Sequence, residues 1–355
     1  MAGITFSILL IFMEIGFLDT IKRSASLVYN DMEFDFLMVS YDYEYMNETG
    51  RFARGHLIQA GVTPGVEKVM PMNMSIGQWE DTETETSSSL MILGIEQDPD
   101  FVKNPVIRAN LSSLGQTYSV MLDTLSHPSY GPLVKGREAK VNRIDIKTGA
   151  LFKLGMGFYA DGAVIVNNQT FTGLTRVDSR KIKYGLIKAG PGEDLAALKT
   201  RLRSGISSEV KVFDRQEMIK MEETYFVSVM PIGIMVKTGV LVSFLVGAVI
   251  LFQVLSTEIT NRLTEFATLK ASGFTPGYIY GVGFQQAVLF AALSYVPALI
   301  LAHFLFKTIH QFTRLPSLMT PGLAGIVFVL SFFMCLISGF LALRKVKKAD
   351  PADLF

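Results

Sequence analysis

Residues 214–257 decide the fold, and they read DRQEMIKMEETYFVSVMPIGIMVKTGVLVSFLVGAVILFQVLST. Asp214 is followed three residues later by Glu217, which is the spacing of a capping box at the start of a helix. From Thr238 to Thr257 there is no charged side chain, and a run of about 20 such residues is long enough to cross a bilayer as a helix. We therefore predict a long, nearly continuous helical element, with a stalk that begins at Asp214 and leads into a membrane span. Such an element can transmit a mechanical force across a membrane.

The segment after this span, Glu258 to Ala271, is polar but keeps a helical period. Ile259, Leu263 and Phe266 recur on one face, and the Ser272-Gly273 pair is a stop signal. A connector in solvent has no need of an apolar stripe, so the stripe favours docking onto another protein. Adhesion of the same face to the lipid interface is the alternative interpretation.

The composition indicates a membrane protein with a substantial soluble part, because 49% of the residues are hydrophobic and only 18% are charged. Apolar blocks predict four membrane spans. No basic residue precedes the first block and no cleavage site follows it, so we expect a span truncated at its N-terminus rather than a signal peptide. The predicted spans are 1–18, 234–257, 278–306 and 321–343.

The basic run Arg344 to Lys348 sets the orientation, since basic residues flanking a span favour the cytoplasm and the anionic lipid leaflet. The segments 258–277 and 344–355 are then expected in the cytoplasm, as a coupling loop and a tail. The segments 19–233 and 307–320 are expected on the outer side.

The segment 19–233 has room for a large α+β domain. Strand and helix signals predict two strand–helix–strand units around a β-rich insertion at about 90–180. Within the first unit, Pro71 predicts an edge or a bulge. Met70, Met72 and Met74 alternate, which favours one buried strand face over a lipid-binding patch. The first unit comprises 34–41, 51–60 and 66–76, and the second 183–189, 193–202 and 209–213.

Catalytic and cofactor motifs are absent from the sequence. There is no phosphate-binding P-loop, no His-Glu-x-x-His and no Gly-x-Ser-x-Gly. The four histidines show no metal-ligand spacing, so no metal site is predicted. A net charge of +1 gives no field to attract nucleic acid. We expect a non-catalytic protein.

One acidic residue, Glu14, lies inside the first predicted span, where a charge is costly unless it is paired or faces a polar cavity. Lys237 lies at a similar expected depth at the outer end of the second span. An intramembrane polar pair between Glu14 and Lys237 is our hypothesis. The alternative is that each side chain reaches the interface independently.

Two motifs resemble a known family. The loop 265–274, EFATLKASGF, is similar to the coupling loop of ABC permeases of the MacB/FtsX/LolC type (type VII). Asp350 and Pro351 in the tail RKVKKADPA resemble the closing Asp-Pro-Ala of that family. Residues 3–19 look most like the DevC branch, the permeases of heterocyst glycolipid exporters. The resemblance implies a docking site for an ATPase on the coupling helix, formed by Ile259, Leu263, Glu265, Phe266, Leu269, Lys270 and Gly273.

The resemblance further implies a homodimeric permease in the bacterial inner membrane, with a periplasmic domain of Porter and Sabre parts. The chain itself would hold no cofactor, because ATP and Mg²⁺ would be bound by a separate ABC ATPase subunit. Mechanotransmission would drive a lipid, a glycolipid or another amphiphile through a periplasmic adaptor (a membrane fusion protein) and a TolC-like outer-membrane channel.

Two other functions stay open at the level of sequence. One is an FtsX-like signalling subunit that activates a periplasmic hydrolase and transports nothing. The other is a permease that extracts lipoproteins from the outer leaflet. An adaptor partner would favour export, and a coiled-coil hydrolase partner would favour signalling.

Overall fold

The computed structural model describes residues 2–84, 86–155, 157, 159–262, 265, 268, 272–273 and 275–348. The chain divides into two compact units. The helical unit comprises Met1–Thr20, Pro231–Gln311 and Ser317–Phe355. The α/β unit comprises Ile21–Met230 and Phe312–Pro316.

Long helices form the helical unit, apart from the last residues of two of them, and the short helices belong to the α/β unit. The long ones are α1 (Ala2–Asp31), α7 (Pro231–Asn261), α8 (Pro276–Thr313) and α9 (Pro321–Lys348). The short ones are α2 (Arg54–Gly61), α3 (Pro105–Asn110), α4 (Asn168–Thr175), α5 (Leu195–Gly205) and α6 (Arg215–Thr224). The long helices supply four candidate membrane spans by their length and hydropathy.

Helix α1 continues to Asp31, well beyond the predicted end of the first span at Leu18. The extension has a physical cause in its own sequence. Ile21, Ala25 and Val28 recur on one face and are buried, so the helical period continues after the membrane-like composition has ended. Helix α8 likewise extends past 306 and passes through Pro297.

Small residues let the helices of the helical unit approach one another closely. A Cβ atom added at Gly247 of α7 would lie 2.5 Å from Met334 Sδ of α9 and 2.9 Å from Ser7 Cβ of α1. One turn along the α9 helix, Ser338 Oγ donates a 2.8 Å hydrogen bond to the Ala248 carbonyl. Close backbone approach and interhelical hydrogen bonds are the usual means of helix association in membranes. The chain's single cysteine, Cys335, is buried in the same core.

The α/β unit is built on a nine-stranded mixed sheet with the order β11-β1-β10-β3-β4-β8-β5-β7-β6, and β2 pairs separately with β9. The strands are β1 (Phe36–Ser40), β2 (Phe52–Ala53), β3 (Val66–Glu80), β4 (Ser87–Ile95), β5 (Ser119–Asp123), β6 (Glu138–Val141), β7 (Ile144–Phe152), β8 (Ala163–Asn167), β9 (Lys181–Ile182), β10 (Tyr184–Ala189) and β11 (Val210–Asp214). A large α/β domain between the first and second apolar helices confirms the predicted fold class.

Two strand–helix–strand units form one end of the sheet. The first is β1, α2 and β3, and the second is β10, α5 and β11. Their strands interleave in the antiparallel order β11-β1-β10-β3, which is the split βαβ arrangement. Pro71 pairs with Gly185 of β10, and pairing of β3 with β4 begins only at Asn73. On its other side, Pro71 therefore lies at a local edge of the sheet, as predicted. A proline, which has no N–H to donate, is tolerated at such an edge.

Strand β3 belongs to both halves of the sheet. Its first half pairs with β10 and its second half, from Asn73 to Glu80, pairs with β4. Residues of the predicted insertion form β4 to β8 with α3 and α4. Met70, Met72 and Met74 are almost completely buried in one core cluster, which confirms the buried strand face. A second core, around Trp79, lies within the insertion half.

Candidate functional site

The predicted start of the stalk is confirmed. Asp214 is the N-cap of α6, and its carboxylate accepts a 2.8 Å hydrogen bond from the Glu217 amide. The Glu217 carboxylate accepts in return from the Asp214 amide at 3.3 Å. Lys199 of α5 adds a charged contact, with Nζ 2.6 Å from the Asp214 carboxylate. These bonds satisfy helix-start donors and tie α6 to α5.

The stalk is not continuous with the span, which corrects the expectation of a nearly unbroken element. A single π-helical turn, Tyr225–Val229, follows α6. Met230 then adopts extended backbone angles (φ −66°, ψ 139°), and α7 begins at Pro231. The cause is local, because a proline disfavours helical angles in the residue before it and fits best in a first helical turn.

Aromatic side chains hold the π-helical turn against the α/β unit. The ring of Tyr225 stacks on Tyr45 with centroids 4.5 Å apart. Phe226 meets Tyr159 edge to face at 5.5 Å, and Tyr45 at 5.9 Å. Single π-helical turns occur frequently at functional sites. Here the turn occupies the last part of the α/β unit before the chain enters the helical unit.

A completely buried carboxylate, Glu222 of α6, lies one turn before this π-helical turn. The hydroxyl of Tyr43 donates to Glu222 Oε1. The Met46 amide donates to Oε2 at 3.3 Å, and the Tyr159 hydroxyl donates to Oε2 at 3.4 Å. Burial raises the pKa of Glu222 to about 7, although these hydrogen bonds act in the opposite direction.

Further tyrosines extend the cluster around Glu222. The hydroxyl of Tyr29, near the end of α1, lies 3.0 Å from that of Tyr43. Tyr184 of β10 donates a 2.7 Å hydrogen bond to the Met46 carbonyl. The sequence analysis missed this network. A signal existed, since Glu222 stands four residues after the buried Met218, on the apolar face of α6.

Arg215, the first residue of α6, joins α6 to the end of α1. Its guanidinium donates to the carbonyls of Tyr29 and Met32, both at 2.8 Å. A cation beside carbonyl groups at a helix C-terminus is favourable, because those groups lack partners within the helix. The stalk helix is therefore fixed at its start to α1 and along its length to Tyr43 and Met46.

Glu14 lies where α1 and α7 approach each other. A Cβ atom added at Gly239 would be 2.5 to 2.7 Å from the carboxyl atoms of Glu14. Gly239 thus provides the space that this side chain occupies. Lys237 is exposed on α7, two residues before Gly239. The pair between Glu14 and Lys237 stays a prediction.

The structure describes only some of the predicted docking residues. Ile259 is buried in the core of the helical unit, so any docking would fall to the residues after it. Glu265 is exposed, and Gly273 is exposed with a φ of +87°, which favours glycine. The ion pair of Glu258 with Arg262, 2.8 Å long, is present at the end of α7. The remaining predicted positions lie outside the described residues: Leu263, Phe266, Leu269, Lys270, Asp350 and Pro351.

The fold defines a class of membrane protein, with four apolar helices and a large α/β domain between the first and the second. Within that class, residues 237–351 match the family described as FtsX-like permease C-terminal. The match covers most of α7 and all of α8 and α9, together with the predicted coupling loop. No curated protein matches the sequence significantly.

Solved structures resemble part of this chain loosely. The extracellular domain of the noncanonic ABC-type transporter YknZ from Gram-positive bacteria aligns with 51% of this chain and 98% of its own, at 10% identity and a TM-score of 0.37. The periplasmic region of MacB from Actinobacillus actinomycetemcomitans aligns with 55% of this chain and 95% of its own, at 11% identity and a TM-score of 0.37. At these TM-scores the likeness assigns nothing to this chain.

Proposed function

We propose that the chain is the non-catalytic permease subunit of an ABC-type transporter. The observation that carries this proposal is the match of residues 237–351 to the FtsX-like permease C-terminal family, in a chain that has four apolar helices. ATP and Mg²⁺ belong to a separate ATPase subunit, which docks on the loop 258–277. The helices of this chain convert the docking motion into movement outside the membrane.

The stalk is the route by which that motion reaches the α/β unit. A displacement of α7 pulls on Met230 and the π-helical turn, which is held by Tyr45 and Tyr159. Helix α6 passes the load to α5 through Lys199 and to the end of α1 through Arg215. The load therefore reaches two helices of the α/β unit, α5 and the end of α1, instead of one.

The finer assignment is an exporter of the DevC type in the inner membrane of a double-membraned bacterium. It works as a homodimer with a periplasmic adaptor and a TolC-like outer-membrane channel, and its cargo is a lipid, a glycolipid or a similar amphiphile. The resemblance of residues 3–19 to the DevC branch supports this assignment. The rivals are an FtsX-like signalling subunit and a lipoprotein-extracting permease.

The test is affinity purification of the full chain in detergent, with mass spectrometry of the proteins that accompany it. We expect a P-loop ATPase with a periplasmic adaptor. Leu263→Glu with Phe266→Glu places charges on the apolar stripe and should abolish recovery of the ATPase. Thr268→Glu, off the stripe in the same helical period, is the matched control and should leave recovery unchanged.

The accompanying proteins decide between the candidate functions. An ATPase recovered with a cell-wall hydrolase, and without an adaptor, supports signalling. An ATPase recovered with lipoproteins supports extraction. If no ATPase is recovered, the docking assignment and the permease function fail together. If the stripe variant retains the ATPase in full, the docking assignment alone fails.

A further inference from the structure

A groove of roughly 370 Å³ with a mixed polar and apolar lining lies in the α/β unit beside Asn73, where β3 passes from β10 to β4. It is separate from the stalk, and the proposed function makes no use of it. Its basic lining residues are Arg51, Arg54 and Lys181. Neutral donors also line it, namely Asn168, Gln169, Thr172 and Ser179.

Arg51 is the half-buried cation of this groove, and its guanidinium has few partners. Nη1 donates to Asn73 Oδ1 at 3.3 Å, and the same oxygen accepts from the Lys183 amide at 3.2 Å. The Lys183 ammonium is 3.5 Å from the Asn47 carbonyl. Among the described residues, neither Arg51 nor Lys183 has a carboxylate within ion-pair distance.

This pair differs from other basic side chains of the α/β unit. Arg137 is also partly buried, yet its guanidinium lies 2.6 Å from the carboxylate of Asp81. Lys199 contacts both Asp214 and Glu217 at 2.6 Å. Partly buried charges are normally compensated in this way, because an uncompensated charge of that kind is costly.

The pKa of Lys183 is consistent with the lack of a carboxylate partner among the described residues. Burial, with a contribution from the neighbouring Arg51, lowers the pKa of the Lys183 ammonium to about 8. No carboxylate in the described part of the chain acts on it in the opposite direction. An anion bound beside Arg51 would offset this repulsion and raise the pKa of Lys183 towards its ordinary value.

The one carboxylate among the described lining residues does not compete for the cations. Asp178 is held by Arg180, whose Nε and Nη2 each donate to it at 3.2 Å. Arg54 is exposed and lies 2.8 Å from Glu96, a weak surface pair that leaves other guanidinium N–H groups available. The interior of the groove is therefore positively charged.

We propose that this groove binds the oxyanion of a phosphate ester, with Arg51 as its principal donor and Lys181 and Arg54 as charged contacts at its side. A guanidinium presents paired N–H groups that match two oxygens of a phosphate, which favours phosphate over an uncharged ligand. The phosphate group is shared by two sources, a small soluble phosphate ester and the headgroup of an anionic lipid.

The test is isothermal titration calorimetry on the full chain in uncharged detergent. The soluble probe is glycerol 3-phosphate. The lipid probe is dihexanoyl phosphatidylglycerol, with dihexanoyl phosphatidylcholine as its zwitterionic match. We expect saturable binding of at least one of the two anionic probes. Arg51→Gln keeps a donor for Asn73 but removes the charge, and should weaken that binding at least tenfold.

Two further variants keep the test independent of folding defects. Lys181→Gln changes an exposed side chain of the groove and should weaken binding several-fold. Lys147→Gln changes an exposed lysine of β7, away from the groove, and should leave binding unchanged. The fluorescence of Trp79, the chain's one tryptophan, checks that each variant is folded.

A proton-linkage measurement reports on the groove itself. Sulfate does not change its own charge near pH 8, so proton uptake on its binding at that pH must come from the protein. We expect such uptake in the unaltered chain and its loss in Lys183→Gln, read from the dependence of the binding heat on the buffer.

Binding of glycerol 3-phosphate identifies a soluble ester, and binding of phosphatidylglycerol alone identifies a lipid headgroup. Either result upholds the proposal. It is overturned if no anionic probe binds, if Arg51→Gln binds as the unaltered chain does, or if phosphatidylcholine binds as tightly as phosphatidylglycerol. None of these results depends on recovery of an ATPase.

Discussion

Glu222 is an acid in a place where the fold tolerates its neutral form better than its charged form. Its carboxyl group is inaccessible to solvent and has hydroxyl and amide donors around it, but no cation among the residues that the structure describes. Hydrogen bonds offset only part of the free energy lost when a carboxylate leaves water. The raised pKa of Glu222, about 7, expresses that imbalance.

The stability of the α/β unit should therefore depend on pH through Glu222. Below the unfolded pKa of 4.5 the group is protonated in both states and costs nothing. As the pH rises towards 7, only the unfolded state loses its proton, so stability falls, and above that pH the whole penalty of about 3 kcal/mol is present. Glu222→Gln should be free of this loss, as measured by urea unfolding of the full chain in detergent, followed through Trp79 at several pH values.

Glu223→Gln is the matched control, because Glu223 is the next residue on α6 and is only partly buried. It should reproduce the pH dependence of the unaltered chain. The explanation fails if Glu222→Gln and the unaltered chain lose the same stability between about pH 5 and about pH 8.

The effect of a substitution at Gly247, in the helical unit, should also depend on the atoms that surround it. Gly247→Val would place a side chain against Met334 and Ser7, and overpacking of this kind costs about 1 to 3 kcal/mol. We expect the thiol of the buried Cys335 to react at a lower temperature in a thiol-dye melting experiment. Gly325→Val, where added atoms meet nothing within 4 Å, should melt as the unaltered chain does. Equal melting of the two variants would contradict the packing explanation.

At the scale of elements, the stalk depends on its first residue. Asp214→Ala removes both the cap of α6 and the contact with Lys199, and loss of a cap typically costs about 1 kcal/mol. Asp214→Asn should cost less, since asparagine also caps a helix start. Urea unfolding followed through Trp79 measures both variants. If the two variants lose equal stability, the ion pair with Lys199 matters and the cap does not.

The sequence predicted the beginning of the stalk better than its end. Asp214 and Glu217 act within one turn, so their spacing alone predicts the capping box. The π-helical turn and the extended Met230 depend on Tyr45 and Tyr159, which are distant in the chain. Pro231 indicates that the helix is interrupted there, but it does not predict the π-helical turn or the extended residue before it.

The positions of the strands in the sequence were predictable because they too depend on local patterns. The order of the strands in the sheet was not predictable. The alternation of Met70, Met72 and Met74 is a local property that shows which strand face is buried. The parallel pairing of β4 with β8 joins distant segments whose apolar runs would suit several neighbours. The environment of Glu222 was missed for this reason too, because Tyr43 and Tyr159 come from elsewhere in the chain.

At the scale of the whole molecule, the two halves of the α/β unit share one strand, since β3 pairs with β10 at one end and with β4 at the other. We expect the unit to open as one cooperative body, because separating its halves would break β3 itself. Hydrogen exchange of the full chain, read by mass spectrometry, should show similar opening free energies for β1 and β10 and for β5 and β8. A distinctly lower value for β5 and β8 would show that the insertion half opens by itself.

The length of β3 has a mechanical consequence. Its 15 residues extend over about 50 Å, with one antiparallel ladder along its first half and another along its second. A tension applied along this strand loads the hydrogen bonds of each ladder in shear, so that many of them must fail together. A tension applied across the strand would unzip the same bonds one after another. The α/β unit is therefore mechanically anisotropic, stiff along β3 and compliant across it.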